Sequence, residues 1–344
     1  MVYESACLKT LSSQTSNNGK WYYFSRLTNE QRIIYKIMFS GLENYSKEIK
    51  IPFLRPIDEI FTIFKFILLD NPIVFYVSSF IYLTSNLHTE ECIIKPEYKY
   101  SKNFVEYNTN IIEKALQAFS RIKTKNPLAR EIYVHDYCLS NLMYDHSLDE
   151  YSFSVLGPVI NKTAVCEGIA KFVKLILDYL DVKCLVTSGS AKDQSRGCAE
   201  INHSWNIVKI GSNTYHLDVT FDLTLKDKEN RYDYFNLSDE DIKKDHAIIG
   251  VAPVCTVKGG DYFTSNSLLA NNSGELKKII ARGLEKGKTN LTVKIGSASF
   301  TPDILGKIMN IAYQQYMEIQ KRSVMVKVAY NSSQMVFEIN FKEW

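Results

Sequence analysis

At 344 residues the chain is too long for one typical hydrophobic core, and its composition, 45% apolar and 23% charged, fits a globular protein of two or three packed units. Lys and Arg number 41 against 38 Asp and Glu, a net charge of +3 with no long single-sign run, so the sequence makes no electrostatic case for nucleic acid. Seven cysteines without a Cys-x-x-Cys pair argue against a disulfide framework or a zinc ribbon, and six histidines without a His-x-x-x-His pair offer no metal-binding helix; neither metal nor cofactor is expected.

The first residues, Met1 to Cys7, lack a basic region followed by an apolar run. That predicts no secretory signal and a cytoplasmic chain, although a leader already removed would leave the same sequence. Residues 1–100 read as a mixed helix and strand region. Trp21-Tyr22-Tyr23-Phe24 is a short strand candidate, Thr28-x-x-Gln31 is a capping box for a helix over 29–45, and Pro56 opens a second helix to Leu69. Val74–Val77 and Phe80–Leu83 are rich in β-formers and read as strands. The apolar window from Ile60 to Leu83 is broken by Lys65 and by Asp70-Asn71-Pro72, so it does not read as a membrane span. This region carries no convergent polar groups and is expected to cap one side of the core.

Helices over 104–123 and 127–143 come next. His135 and Asp136 adjoin each other in the second; i, i+1 neighbours on a helix do not face each other, which makes His135 a packed or hydrogen-bonded structural residue. The polar and aromatic segment Tyr144 to Pro158 is a candidate wall of a substrate cleft, with Tyr144 or Tyr151 supplying a hydroxyl. It leads into Thr163-Ala164-Val165-Cys166-Glu167-Gly168-Ile169-Ala170-Lys171-Phe172, where apolar residues at 165, 169, 172, 173, 176, 177 and 180 follow helical spacing. Cys166 falls in the first turn, with Asn161 or Thr163 as cap. There the free amides and the positive end of the helix dipole favour thiolate over thiol.

Residues 190–202 form a polar loop in which Lys192, Asp193, Arg196 and Glu200 are specificity candidates, and Cys198 is a loop cysteine. His203-Ser204-Trp205-Asn206-Ile207-Val208-Lys209-Ile210 alternates like a half-buried strand. Gly211-Ser212-Asn213 is a turn, and Thr214 to Phe221 completes a hairpin. Period-2 alternation sets His203, Trp205 and Ile207 on one face of the first strand, and His216, Asp218 and Thr220 on one face of the second. His203 and Asp218 can then pair across the ladder, with the carboxylate orienting an imidazole that serves Cys166 as general base. His216 is read as support for Asp218, Asp222 as an alternative acid, and His246 as a structural hydrogen-bonder.

Val-Cys166-Glu-Gly-Ile-Ala, Leu185-Val186-Thr187-Ser188-Gly189, His203-Ser-Trp205-Asn206 and Tyr215-His216-Leu-Asp218-Val-Thr together resemble the transglutaminase-like superfamily of papain-type cysteine enzymes. The similarity is strongest over 130–260, where Tyr234 to Asp239 and Asp245-His246 further resemble a bacterial branch. The resemblance implies an α+β fold in which a nucleophile helix packs on an antiparallel sheet. It also implies a triad of Cys166, His203 and Asp218, in the family's order, acting on peptide or protein amides through a thioester. Trp205, His216, Tyr144 and Tyr151 are the expected neighbours. No calcium-loop pattern is present, which favours hydrolysis over cross-linking. The alternative is a non-catalytic binding or scaffold protein that keeps the fold; the intact triad weighs against it.

The catalytic core is expected over 101–265. From 266 to 344 the pattern changes to helix (Glu275–Leu284), strand (Leu291–Ile295), helix (Pro302–Ile319, capped by Thr301) and a hairpin of Val324–Tyr330 with Met335–Phe341. This compact α/β unit lacks a nucleophile, phosphate loop or metal set and reads as an accessory domain.

Overall fold

The computed structural model describes residues 20–86, 88, 90–193, 199–296 and 300–342. The first element among the described residues is α1 (Tyr22–Arg26), where a strand was expected. The reason is tertiary: the Asp70 carboxylate accepts from the amides of Tyr23 and Phe24 at 3.1 and 2.9 Å, capping the turn from another helix. Trp21 packs on Tyr35 and Phe39, and that packing overrides the β preference of the aromatic run. α2 (Asn29–Glu43) begins with the capping box of Thr28 and Gln31, β1 spans Ile49–Ile51, and α3 (Ile57–Asp70) starts after Pro56.

The two expected strands at 74–83 are a turn and one longer strand. Val74 donates its amide to Asn71 at 2.9 Å, and β2 (Val77–Asn86) begins only after that turn, pairing with β3 (Glu91–Tyr98) in a three-stranded antiparallel sheet with β1. α4 (Lys102–Gln117) ends earlier than the sequence suggested, because a 3-10 turn over Ser120–Thr124 redirects the chain and Phe119 packs on Tyr137. α5 (Pro127–Asn141) follows, capped by Asn126.

Two short parallel strands, β4 (Met143–Tyr144) and β5 (Thr163–Ala164), tie off the segment that precedes α6 (Cys166–Tyr179). β6 (Cys184–Asp193), β7 (Ala199–Ile210), β8 (Asn213–Leu217) and β9 (His246–Ile248) form a four-stranded antiparallel sheet in the order β8-β7-β6-β9. Much of the loop expected at 190–202 is therefore strand: Ser190 to Asp193 pair with Ala199 to Asn202. The second arm of the hairpin stops at Leu217, and α7 (Val219–Leu225) begins where strand was expected. The cause is Asp218, whose carboxylate accepts the Thr220 and Phe221 amides at 3.0 and 3.1 Å and so starts a helix.

α6 lies on this sheet. Ala170 joins Leu185, Val186 and Ile207 in an apolar cluster, and the Asn206 carboxamide donates to the Ala170 carbonyl at 2.9 Å. Lys174 is fully buried on the same helix; its ammonium donates to the Asp178 carboxylate at 2.8 Å and to the carbonyls of Cys184 and Lys20 at 2.9 and 3.2 Å. Three donors with three acceptors make a charge tolerable inside a core.

After the short helix α8 (Asp239–Ile242), which precedes β9, the chain continues through α9 (Tyr262–Ser265) and β10 (Leu269–Ala270). α10 (Ser273–Glu285), β11 (Asn290–Ile295), α11 (Pro302–Gln320), β12 (Met325–Asn331) and β13 (Val336–Lys342) complete it. The last four strands form a sheet ordered β10-β11-β13-β12. Apolar residues from Leu27 to Phe235 share one core, so the first hundred residues and the α6 region are packed together, whereas Ala270 to Phe341 build a second core. No helix among the described residues is long and apolar enough to cross a membrane.

Candidate active site

Cys166 is the first residue of α6, and it is half-buried. The caps expected for this helix are engaged elsewhere: Asn161 donates to Asp149 at 3.4 Å, and Thr163 lies in β5. Val165 holds the N-cap position, with no side-chain cap. Thr28, Ser101, Asn126, Asn272 and Thr301 each cap the helix that follows them. The start of α6 thus keeps its first-turn N–H groups, which have no i−4 carbonyl within the helix, around the sulfur.

The approach to that turn is held by polar bonds. The Asp145 carboxylate accepts the Ser147 amide and hydroxyl, the Asp149 amide and the Ser152 hydroxyl; the serine hydroxyls foremost hold it well below the usual carboxylate range. The Ser152 carbonyl then accepts the Val165 amide at 3.1 Å. The same carbonyl abuts Gly168, where an added Cβ would collide with it. Gly168→Ala is therefore expected to destabilise the protein by about 1–3 kcal/mol, the usual penalty of overpacking. Urea unfolding of the two proteins checks this, and equal midpoints would disprove the close approach.

His203 is buried on β7. Its Nε2 lies 2.7 Å from Asp218 Oδ2, and the Cys166 side chain is its other hydrogen-bonding partner, which leaves Nδ1 for the sulfur. Burial acts to strip the ring of its proton, but the Asp218 carboxylate outweighs it, helped by the Cys166 contact, and His203 is pushed up to about 10. Burial would likewise raise the Asp218 carboxyl; the charge of His203 and hydrogen bonds from two imidazoles hold it well below the ordinary range. The two shifts agree: this is an imidazolium–carboxylate pair, and an imidazolium beside a sulfur stabilises a thiolate. The structure thus brings Cys166, His203 and Asp218 together.

Asp218 is shared four ways. Its Oδ1 caps α7, while Oδ2 takes both His203 and, at 3.0 Å, His246 Nε2. His246, expected only as a structural hydrogen-bonder, is thus the second imidazole on the triad carboxylate, with its Nδ1 on Asp245 at 2.7 Å. Its approach depends on β9 joining the free edge of β6, a pairing that no local signal in the sequence reveals.

The other expected neighbours divide. Trp205 is buried, its ring centroid 5.8 Å from that of His203, and its indole N–H donates to His216 Nδ1 at 3.0 Å. His216 does not support Asp218 directly: its Nε2 lies 2.8 Å from Asp239, so it holds Trp205 instead. Tyr151 packs on Tyr100 and Phe104, and Tyr144 on His146. Asp222 is not a triad acid, because its carboxylate lies 3.0 Å from His135 Nε2 and accepts the Tyr234 amide. Contrary to expectation, His135 also meets its neighbour: Asp136 bends back to Nδ1 at 3.2 Å. Burial works against its charge, yet the two carboxylates push His135 up to about 9. Lys192 and Glu200 are exposed, with Glu200 bonded to the Ser190 hydroxyl at 2.5 Å. Arg196, Cys198, Cys7 and the Asp193 side chain lie outside the described residues.

Among the described residues two clusters have metal-ligand composition, His203 with Asp218 and His246, and His216 with Asp239 and Cys255. In the second, the indole donor fixes His216 as the Nε2–H tautomer, which donates to Asp239 and leaves that nitrogen no lone pair for an ion. In the first, both imidazoles use Nε2 to hydrogen-bond the carboxylate.

No family model matches the chain, and no curated protein matches it. Among solved structures it is similar to a TGase, at 14% identity over 45% of this chain and 47% of that one with a TM-score of 0.28. It is also similar to a candidate cysteine protease from Cytophaga hutchinsonii, at 11% identity over 41% of this chain and 61% of that one, TM-score 0.28. The chain spans less than two thirds of the length of either.

Proposed function

We propose that the chain is a cysteine enzyme of the transglutaminase-like type that hydrolyses amides of peptides or proteins through a thioester, residues 101–265 forming its catalytic core. The observation that carries this reading is the buried His203 of β7 bridging Cys166 and Asp218, with Cys166 half-buried at a helix start that has no side-chain cap.

In this mechanism the Cys166 thiolate attacks the amide carbon. The carbonyl oxygen becomes an oxyanion held by first-turn N–H groups of α6, and His203 passes its Nδ1 proton to the leaving nitrogen as the C–N bond breaks. Water then gives a proton to the neutral ring and attacks the thioester, and Cys166 departs as thiolate. Asp218 stabilises the imidazolium in both halves of the cycle.

The test is incubation of a glutamine-containing peptide library with a fluorescent primary amine, comparing the protein with Cys166→Ala. Ammonia release or peptide cleavage that vanishes in the variant is the expected result. Amine incorporation would replace hydrolysis by transamidation, and no product of any kind would refute the enzyme reading.

A further inference from the structure

The second core reaches the triad by a continuous line of hydrogen bonds. Gln334 lies in the turn between β12 and β13 and is fully buried. Its carboxamide donates to the Asp241 carbonyl at 3.1 Å and lies 3.4 Å from both oxygens of Asp245. Asn331, five residues before its strand partner Val336, accepts the Gln334 amide on its Oδ1 at 3.2 Å and so closes the turn, and the Tyr234 hydroxyl donates to Asp245 at 2.7 Å. Asp245 in turn holds His246 Nδ1, and His246 Nε2 reaches Asp218. The unit is anchored beside this line by Arg231, which is paired with Asp233 at 2.7 Å and with Glu338 of β13 at 3.1 Å, all three buried.

Nothing in the acyl-transfer chemistry requires a second imidazole on Asp218. A carboxylate oxygen shared by two rings must sit where both can reach it, so the placement of His246 constrains the placement of Asp218, and through it the ring that faces the sulfur. His246 is set by Asp245, and Asp245 by a hairpin turn of the other core. Both nitrogens of His246 are donors in this arrangement: burial disfavours its charge, but the carboxylates of Asp218 and Asp245 raise it above its ordinary value.

We propose that His246 is a positioning residue for the triad and that the Asn331–Gln334 turn of the C-terminal unit controls it, so that the docking of this unit regulates Cys166. The proposal rests on the cysteine-enzyme reading above. It turns the accessory unit from a cover into the regulatory part of the same site, through which a partner bound at residues 266–344 would alter catalysis without touching the cleft.

The test uses the full chain and iodoacetamide at pH 6, where an unassisted thiol of pKa about 8.5 is almost wholly protonated, with the Cys166 peptide quantified by mass spectrometry. Wild type against His203→Ala tests the underlying reading: equal rates overturn both. Given a faster wild type, His246→Leu is expected to slow alkylation about tenfold, short of the hundredfold that a 1 Å misplacement can cost. His246→Gln, whose carboxamide can still donate to Asp218, is expected to recover most of that rate, which a merely structural role would not explain. Gln334→Leu is expected to lose about threefold, and its effect should vanish in the His246→Leu background, as double-mutant cycles require of groups on one line. A wild-type rate in folded His246→Leu, or effects of the two changes that multiply in full, would overturn the proposal. If His246→Leu does not fold, Gln334→Leu decides alone, and an unchanged rate there refutes it.

Discussion

Asp218→Asn is expected to lower amide turnover about 10⁴-fold, the loss seen when the acid of a serine protease triad is made an amide. Four donors meet this side chain: the Thr220 and Phe221 amides on Oδ1, and the two imidazole Nε2 atoms on Oδ2. A carboxamide has one acceptor end and one donor end. If its oxygen faces the helix, its NH₂ meets two ring N–H groups; His203 must then keep its proton on Nδ1, against the sulfur, and cannot act as base. If its oxygen faces the rings, its NH₂ meets two backbone donors and the start of α7 is lost. Neither orientation satisfies the site, so stability should fall too, by about 1–3 kcal/mol for the unmet donors. Steady-state kinetics on a peptide that the wild type turns over, with urea unfolding alongside, checks both. Turnover within tenfold of wild type would remove Asp218 from the mechanism. It would leave no substitute, since Asp222 is occupied by His135.

The residues that could be read from the sequence are those whose partners lie close in the chain or on a strand of regular period. Cys166 opens a helix with an apolar stripe, and His203 lies on a strand joined to the next by a two-residue turn; such patterns are local. Asp218 was found by its spacing, yet for a partly mistaken reason: it does not continue the second strand but ends it, because a carboxylate that can accept two amides ahead of it starts a helix. What stayed hidden depended on pairing across distance. Lys174 occupies a helix position that reads as solvent-facing, and only the carbonyls of Lys20 and Cys184 make it internal. The helix at Tyr22 requires a carboxylate 47 residues away. His246, 28 residues beyond Asp218, reaches the site only once β9 has added to β6.

Turnover is expected to fall above pH 10, about tenfold for each further pH unit and so about a hundredfold over two, whereas alkylation of Cys166 should not fall with it. The distinction comes from what each reaction needs. Alkylation consumes a thiolate alone; in the proposed mechanism amide cleavage also needs a proton for the leaving nitrogen, and His203, pushed up to about 10, would be its source. Stability should follow the same pair. The folded value of His203 lies above the ordinary 6.5, so its contribution is complete below that pH and is lost as pH rises through 10. Asp218 is shifted the other way, below the ordinary 3.8, so its contribution is present above that pH and is lost as pH falls towards the depressed value. Between about 4 and 6.5 both are complete, so the gap in melting temperature between wild type and Asp218→Asn should be widest there, shrinking as pH falls below 4 and narrowing progressively as pH rises from 6.5 to 10. A turnover limb near pH 6.5 would mean that burial cancels the pull of the carboxylate, so that above this pH the ring is neutral and the thiolate loses its counter-ion.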